Sequence, residues 1–163
     1  MELFLIRQAD AAAIGEEGAA SDADRPLTAL GQQQSRGLAK ALSDRGIKLE
    51  AVVSSPLLRA RQTAEGLVHH WPGTAPSLQI CEHLAPGGKR KRLGRFLEKL
   101  GMQEVALVGH QPDIECFASW LIGSRKAQMV MAKAGVAYIA CSDRLQKGQG
   151  TLGWLLTPEW LGL

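Results

Sequence analysis

Ala51-Val52-Val53-Ser54-Ser55-Pro56-Leu57-Leu58-Arg59-Ala60 reads as a buried strand running directly into a helix. An unbroken apolar run with two β-branched residues suits a strand covered on both faces. Ser55 suits a helix N-cap and Pro56 the first helical position, where a missing N–H is no loss. The same alternation extends in both directions. Residues 2–6 form a short apolar run ending at Arg7. A helix is expected from an N-cap at Thr28 to about Asp44, with Leu30, Leu38, Ala41 and Leu42 as its apolar stripe and Gly46 as its stop. The helix begun at Pro56 should reach about Trp71 and end at Pro72-Gly73. Residues 77–80 suit a short strand and Pro86-Gly87-Gly88 a turn. Residues 89–100 should form a helix, 104–108 a strand and 112–121 a helix. Residues 135–141 and 150–156 read as closing strands. Strands alternate with helices nearly throughout, which predicts an α/β fold with a mostly parallel sheet. The 163 residues show no repeat and no linker, so one domain over 1–163 is expected.

Composition narrows the class. Hydrophobic residues make up 45% and charged residues 21%, as in an ordinary globular protein. The net charge of +3 is too small an excess to argue for nucleic acid, yet it suits an anionic substrate. Aromatics at 5% leave little for a base-stacking surface. Cys81, Cys116 and Cys141 are odd in number and lack zinc spacing, so reduced and mostly buried thiols are expected. No signal-peptide pattern and no membrane-length apolar run is present, which predicts a cytoplasmic protein without a membrane partner. The sequence leaves the oligomeric state open.

The chemistry-bearing residues fall where strands end. Arg7 and Gln8 follow the first strand; Ser54, Ser55 and then Arg59 follow the second; Gly109 and His110 follow the strand at 104–108. In such sheets ligands bind beyond the carboxyl ends of the strands. Two guanidiniums there could grip a phosphoryl group through paired, charge-assisted hydrogen bonds, and the helix start near Pro56 adds partial positive charge. Gly109 would let the backbone approach closely or turn before His110. A lone arginine at a strand end is usually a surface ion pair, and a lone histidine after glycine is usually structural. Their coincidence at three strand ends weighs against that reading. The run 9–24, rich in Ala, Gly and acidic residues, is read as a long mobile loop, and long loops in compact domains are usually functional.

Leu5-Ile6-Arg7-Gln8-Ala9-Asp10-Ala11, Arg25-Pro26-Leu27-Thr28 with Gly31, Ser55-Pro56-Leu57-Leu58-Arg59-Ala60 with Gln62-Thr63-Ala64, and Val108-Gly109-His110 with Pro112-Asp113 stand in a fixed order. Lys133-Ala134-Gly135-Val136-Ala137 and Trp154-Leu155-Leu156-Thr157-Pro158 follow them. Over nearly the whole chain this order resembles the histidine phosphatase superfamily, and within it the small SixA-type phosphohistidine phosphatases. The resemblance implies a three-layer, phosphoglycerate-mutase-like sandwich and a reaction through a phosphohistidine intermediate, with no metal or other cofactor. Arg7, Arg59 and His110 would bind the phosphoryl oxygens, and His110 would stabilise the transition state. Position 8 would belong to the nucleophilic histidine, so Gln8 departs from the pattern. Asp22, Asp24, Glu16, Glu17 and Glu82 are candidate proton donors.

That departure is chemically serious. A neutral imidazole offers an in-plane lone pair to phosphorus, whereas a carboxamide nitrogen lone pair is delocalised. Gln8 still donates and accepts hydrogen bonds. Two readings follow. One is a phosphohistidine or phosphoprotein phosphatase whose active form carries histidine at position 8, Gln8 being an engineered substitution. The other is a natural pseudophosphatase that binds phosphate or a phosphorylated protein without cleaving it. Small phosphate esters are the alternative substrate. Outside these motifs, the run Lys89-Arg90-Lys91-Arg92 with Arg95 reads as a solvated helix face or as a dock for an acidic phosphoprotein. His69-His70 ends a helix, where a cation suits the dipole.

Overall fold

The computed structural model describes residues 1–124, 129–142 and 144–163. Its strands are β1 (Glu2–Arg7), β2 (Ala51–Ser54), β3 (Ser77–Ile80), β4 (Glu104–Gly109), β5 (Val136–Cys141) and β6 (Gly150–Leu156). They form one sheet in the order β3-β2-β4-β1-β5-β6. The first four in that order pair in parallel, and β5 and β6 extend the sheet antiparallel. Helices α1 (Ala29–Ser43), α2 (Leu58–His69), α3 (Arg90–Leu100), α4 (Asp113–Leu121) and α5 (Pro158–Leu161) complete the chain.

Period-two alternation along the strands builds two cores. Phe4, Ile6, Val52, Ala106, Val108 and Val136 pack with residues of α1 and α2 and with Leu161 on one face. Leu3, Leu5, Val53, Val105, Leu107 and Ile139 pack with residues of α3 and α4 on the other. Both sides of β1, β2 and β4 are therefore covered, which is why these segments read as unbroken apolar runs. The layers are helix, sheet and helix, as expected.

Several details differ from the sequence reading. Helix α2 begins at Leu58 rather than Pro56 and ends at His69, with Leu57 as an N-cap that makes no side-chain cap bond. Leu30 is 54% exposed. The buried positions of α1 are Gly31, Gln34, Ser35, Leu38, Ala39, Ala41 and Leu42, one residue out of phase with Leu30. The first turn of that face is small because it meets backbone. The run 9–24 is an irregular segment, but it is tied down by an Ala11–Leu27 bridge, by Ala12 N–H to Pro26 O and by a 3₁₀ turn at Asp22–Asp24. Cys81 and Cys141 are buried free thiols, whereas Cys116 is exposed. Burial pushes the Cys141 thiol up to about 11.

Gly31 marks the tightest approach. A Cβ there would overlap the Asp10 carbonyl oxygen. Thr28 caps this helix by accepting the Gly31 N–H at 3.1 Å, and its hydroxyl donates to Asp10 Oδ2 at 2.6 Å. Gly31→Ala must push the helix start off the Asp10 segment. We expect a loss of about 1–3 kcal/mol, the usual result of overpacking, read as a lower Tm. An unchanged Tm would show that this contact relaxes freely.

Candidate functional site

The sheet order places three strand ends side by side. Arg7 of β1 pairs with Gly109 of β4, and Ser54 of β2 pairs with Val108 of β4. The backbone continues this alignment beyond the strands: Gln8 N–H donates to Gly109 O at 2.9 Å, and Ser55 N–H to Val108 O at 3.0 Å. Arg59 lies on the first turn of α2, immediately after β2. Arg7, Gln8, Arg59 and His110, the four residues singled out in the sequence, thus meet at one sheet edge.

Arg7, Arg59 and His110 are each held by part of their polar surface and leave part unengaged. Arg7 Nη1 donates to Met131 O at 2.7 Å. Arg59 donates through Nη1 to Asp22 O at 2.6 Å and through Nη2 to Asp22 Oδ2 at 3.1 Å. His110 Nε2 lies 2.7 Å from Ser55 Oγ. Among the described residues, the buried side-chain atoms without a protein partner are Arg7 Nε, Gln8 Oε1, Arg59 Nε and His110 Nδ1. Buried polar atoms normally find partners, and every exception here falls on these four residues. A half-turn of the Gln8 carboxamide exchanges its oxygen for its NH2.

Burial and then the Arg59 charge push the His110 imidazole down to about 4, against weaker pulls from Asp22 and Asp113. The ring is therefore neutral at physiological pH. His110 Nε2 and the Ser55 hydroxyl form one hydrogen bond, whose direction is set by the ring tautomer. Nδ1, the other ring nitrogen, has no protein partner. Between about pH 4 and the ordinary value near 6.5, the unfolded chain binds the proton that the folded chain refuses. The contribution to stability is complete above that window and is lost as pH falls through it. We expect the His110 ring resonances to titrate near pH 4 and Tm to drop on acidification across the window, with a smaller drop in His110→Asn. A His110 midpoint near 6.5 would contradict the buried, neutral ring.

The sequence reading missed the supports. Ser55, expected as an N-cap, is turned to His110; the two are far apart in sequence and meet only because β2 and β4 are neighbours. Thr63 accepts the Ala9 N–H at 3.1 Å, and Gln62 Oε1 accepts the Leu27 N–H at 2.7 Å, so the Gln62-Thr63 pair anchors both ends of the segment after Gln8. Glu115, buried in α4 along with the apolar residues Ile114, Phe117, Ala118 and Leu121, accepts the Met131 N–H at 2.7 Å and so positions the carbonyl that holds Arg7. A carboxylate among those apolar residues was its sequence signal. Lys133 reaches Asp10 at 2.6 Å. Gly109 has no positive φ, and a Cβ there would meet Ile114 at 3.3 Å, so packing rather than turning accounts for it.

Of the five candidate proton donors, Asp22 reaches the cluster, through Arg59. Hydrogen bonding from Arg25, with Arg59 beside it, holds its carboxyl below the usual range, so it is ionised at neutral pH. Asp24 accepts from Ser21 Oγ and Glu16 from Ala13 N–H. Glu17 and Glu82 are exposed. Among the described residues no group of three or more His, Cys, Asp or Glu side chains is arranged to hold a metal ion, and no helix is long and apolar enough to cross a membrane.

Known proteins match this chain in sequence and in fold. The family model of the histidine phosphatase superfamily (branch 1) matches residues 3–85. An uncharacterised protein of Picosynechococcus sp. is 38% identical, over 99% of both chains. The phosphohistidine phosphatase SixA of Escherichia coli is 31% identical, over 97% of this chain and 94% of that one. The structure of the protein histidine phosphatase SixA complexed with tungstate superimposes with a TM-score of 0.83 at 28% identity, covering 97% of each chain. The phosphoglycerate-mutase-like sandwich and the ordered motifs have a common origin: the chain belongs to the histidine phosphatase superfamily, as a SixA-type member.

Proposed function

We propose that this chain recognises a phosphoryl group, carried on a histidine of a partner protein, and holds it between Arg7, Arg59 and His110. Gln8 occupies the place from which a histidine would attack phosphorus, so recognition proceeds without covalent transfer. The observation that carries this reading is the set of unpartnered atoms. Arg7 Nε–H and Arg59 Nε–H are buried donors at one sheet edge with His110 Nδ1 unpartnered beside them; in its Nδ1–H tautomer the imidazole is a third donor, and a tetrahedral oxyanion is the ligand that satisfies several convergent donors at once. Gln8 can add a fourth donor by presenting its NH2. In a hydrolysing relative the same donors would stabilise the charge that develops on the transferring group.

Phosphohistidine is favoured because E. coli SixA, 31% identical, is a phosphohistidine phosphatase. A SixA structure also holds tungstate, a phosphate-shaped oxyanion. An active phosphatase would use the same pocket with histidine at position 8; Gln8 favours recognition over turnover. Titration calorimetry with tungstate tests the pocket: saturable binding, displaced by orthophosphate, is expected. No heat at millimolar oxyanion would overturn the reading.

A further inference from the structure

Helix α3 opens with Arg90-Lys91-Arg92 and carries Arg95 on its next turn. A basic helix face needs only water, but here another segment faces it. Arg144 and Lys147, which follow β5, come to the same side. Together with Arg90, Lys91 and Arg95 they line an open groove of about 1240 Å³ that also touches α4. The carboxylate among them, Glu98, already accepts the Leu145 N–H at 2.9 Å. Among the described residues, none of the five cations pairs with a protein carboxylate. The whole chain carries only +3, so this concentration is not the by-product of a generally basic protein. Like charges around a concave wall repel one another and focus a positive potential. Arg90 also lines the small cleft that contains His110, Gly109 and Asp113. Arg90 therefore borders both the groove and a cleft that reaches His110, one of the phosphoryl-binding candidates.

We propose that the groove docks an acidic face of the same protein whose phosphoryl group enters the Arg7–Arg59–His110 pocket. The proposal rests on the phosphoryl-recognition reading above and names where the partner's protein surface is read. A protein fits better than nucleic acid. Trp120 and Leu145 interrupt the cations with apolar surface, and Glu98 would repel a continuous phosphate backbone. One indole is no stacking ladder. Asp and Glu side chains on a folded partner can meet separated cations and still lay apolar atoms on Trp120. Two contacts on one partner raise the effective concentration of each at the other, so the pair selects phosphorylated acidic proteins over free phosphate.

The test uses Lys91→Glu/Arg95→Glu/Lys147→Glu, which spares Arg90 and the pocket and changes only exposed residues. The probes are a fluorescent Glu/Asp-rich peptide, the same peptide bearing a stable phosphohistidine analogue, and duplex DNA at matched salt. The unmodified chain should bind the analogue peptide more tightly than the plain one. The triple variant should weaken both by about tenfold or more and lessen their salt dependence, with orthophosphate affinity unchanged. Equal peptide affinity in the two proteins would overturn the groove, and so would DNA binding more tightly than the peptide. If orthophosphate fails to bind the unmodified chain while peptide binding stays sensitive to the charge reversal, the pocket reading fails on its own.

Discussion

Gln8→His is expected to raise hydrolysis of an aryl phosphate or a phosphohistidine peptide by roughly 10⁴- to 10⁶-fold over the unmodified chain, whose turnover should be negligible. The side chain alone changes. The residue's backbone is fixed by its N–H bond to Gly109 O, and Gln8 is 8% exposed in a pocket whose other donors stay in place. Positioning and charge stabilisation are thus already present, and what is missing is a lone pair that can accept phosphorus. An imidazole at position 8 supplies it. The phosphoenzyme trapped from a labelled donor should be acid-labile, as an N-linked phosphoryl group is. Adding His110→Ala should remove most of the gain, since the imidazole's contact to the phosphoryl group goes with it. If the unmodified chain turns over as fast as Gln8→His and traps no phosphohistidine, an activated water or another nucleophile is at work.

Arg59→Ala should weaken orthophosphate binding by about 10- to 150-fold, the loss of one charged hydrogen-bonding partner at about 1.5–3 kcal/mol. The local structure predicts a further effect. Arg59 shares Asp22 with Arg25, at 3.1 and 3.0 Å. Without the Arg59 guanidinium, that carboxylate keeps Arg25 as its one cation and presents more negative charge toward the ligand. Arg59→Ala/Asp22→Ala should therefore bind phosphate more tightly than Arg59→Ala alone, by a larger factor than Asp22→Ala changes the unmodified chain, and a double-mutant cycle measures that difference. Calorimetry at fixed ionic strength is needed because part of the effect is screened by salt. Equal phosphate affinity in the unmodified chain and Arg59→Ala would remove Arg59 from the site.

The sequence by itself determined the architecture and the convergence of Arg7, Gln8, Arg59 and His110 at one end of the sheet. Val52 and Val53, or Leu3 to Ile6, are buried on both faces, and an unbroken apolar run is the direct imprint of that burial. Thr28 behaves as a cap because capping involves residues three apart. Arg7, Gln8, Arg59 and His110 were legible because parallel sheets present strand ends on one edge, so a polar residue at such an end is already placed. Tertiary structure alone decided the rest. Ser55 obeys the local rule for an N-cap until β4 lies against β2 and brings His110 within 2.7 Å, and the stronger bond then takes its hydroxyl. Asp22 was one of five equivalent acids until Arg59 reached it. The basic groove needed Arg144 and Lys147 to arrive opposite α3. Propensity and periodicity act between near neighbours, whereas these contacts join residues whose separation along the chain says nothing about their distance. Only the order of the strands in the sheet brings them together.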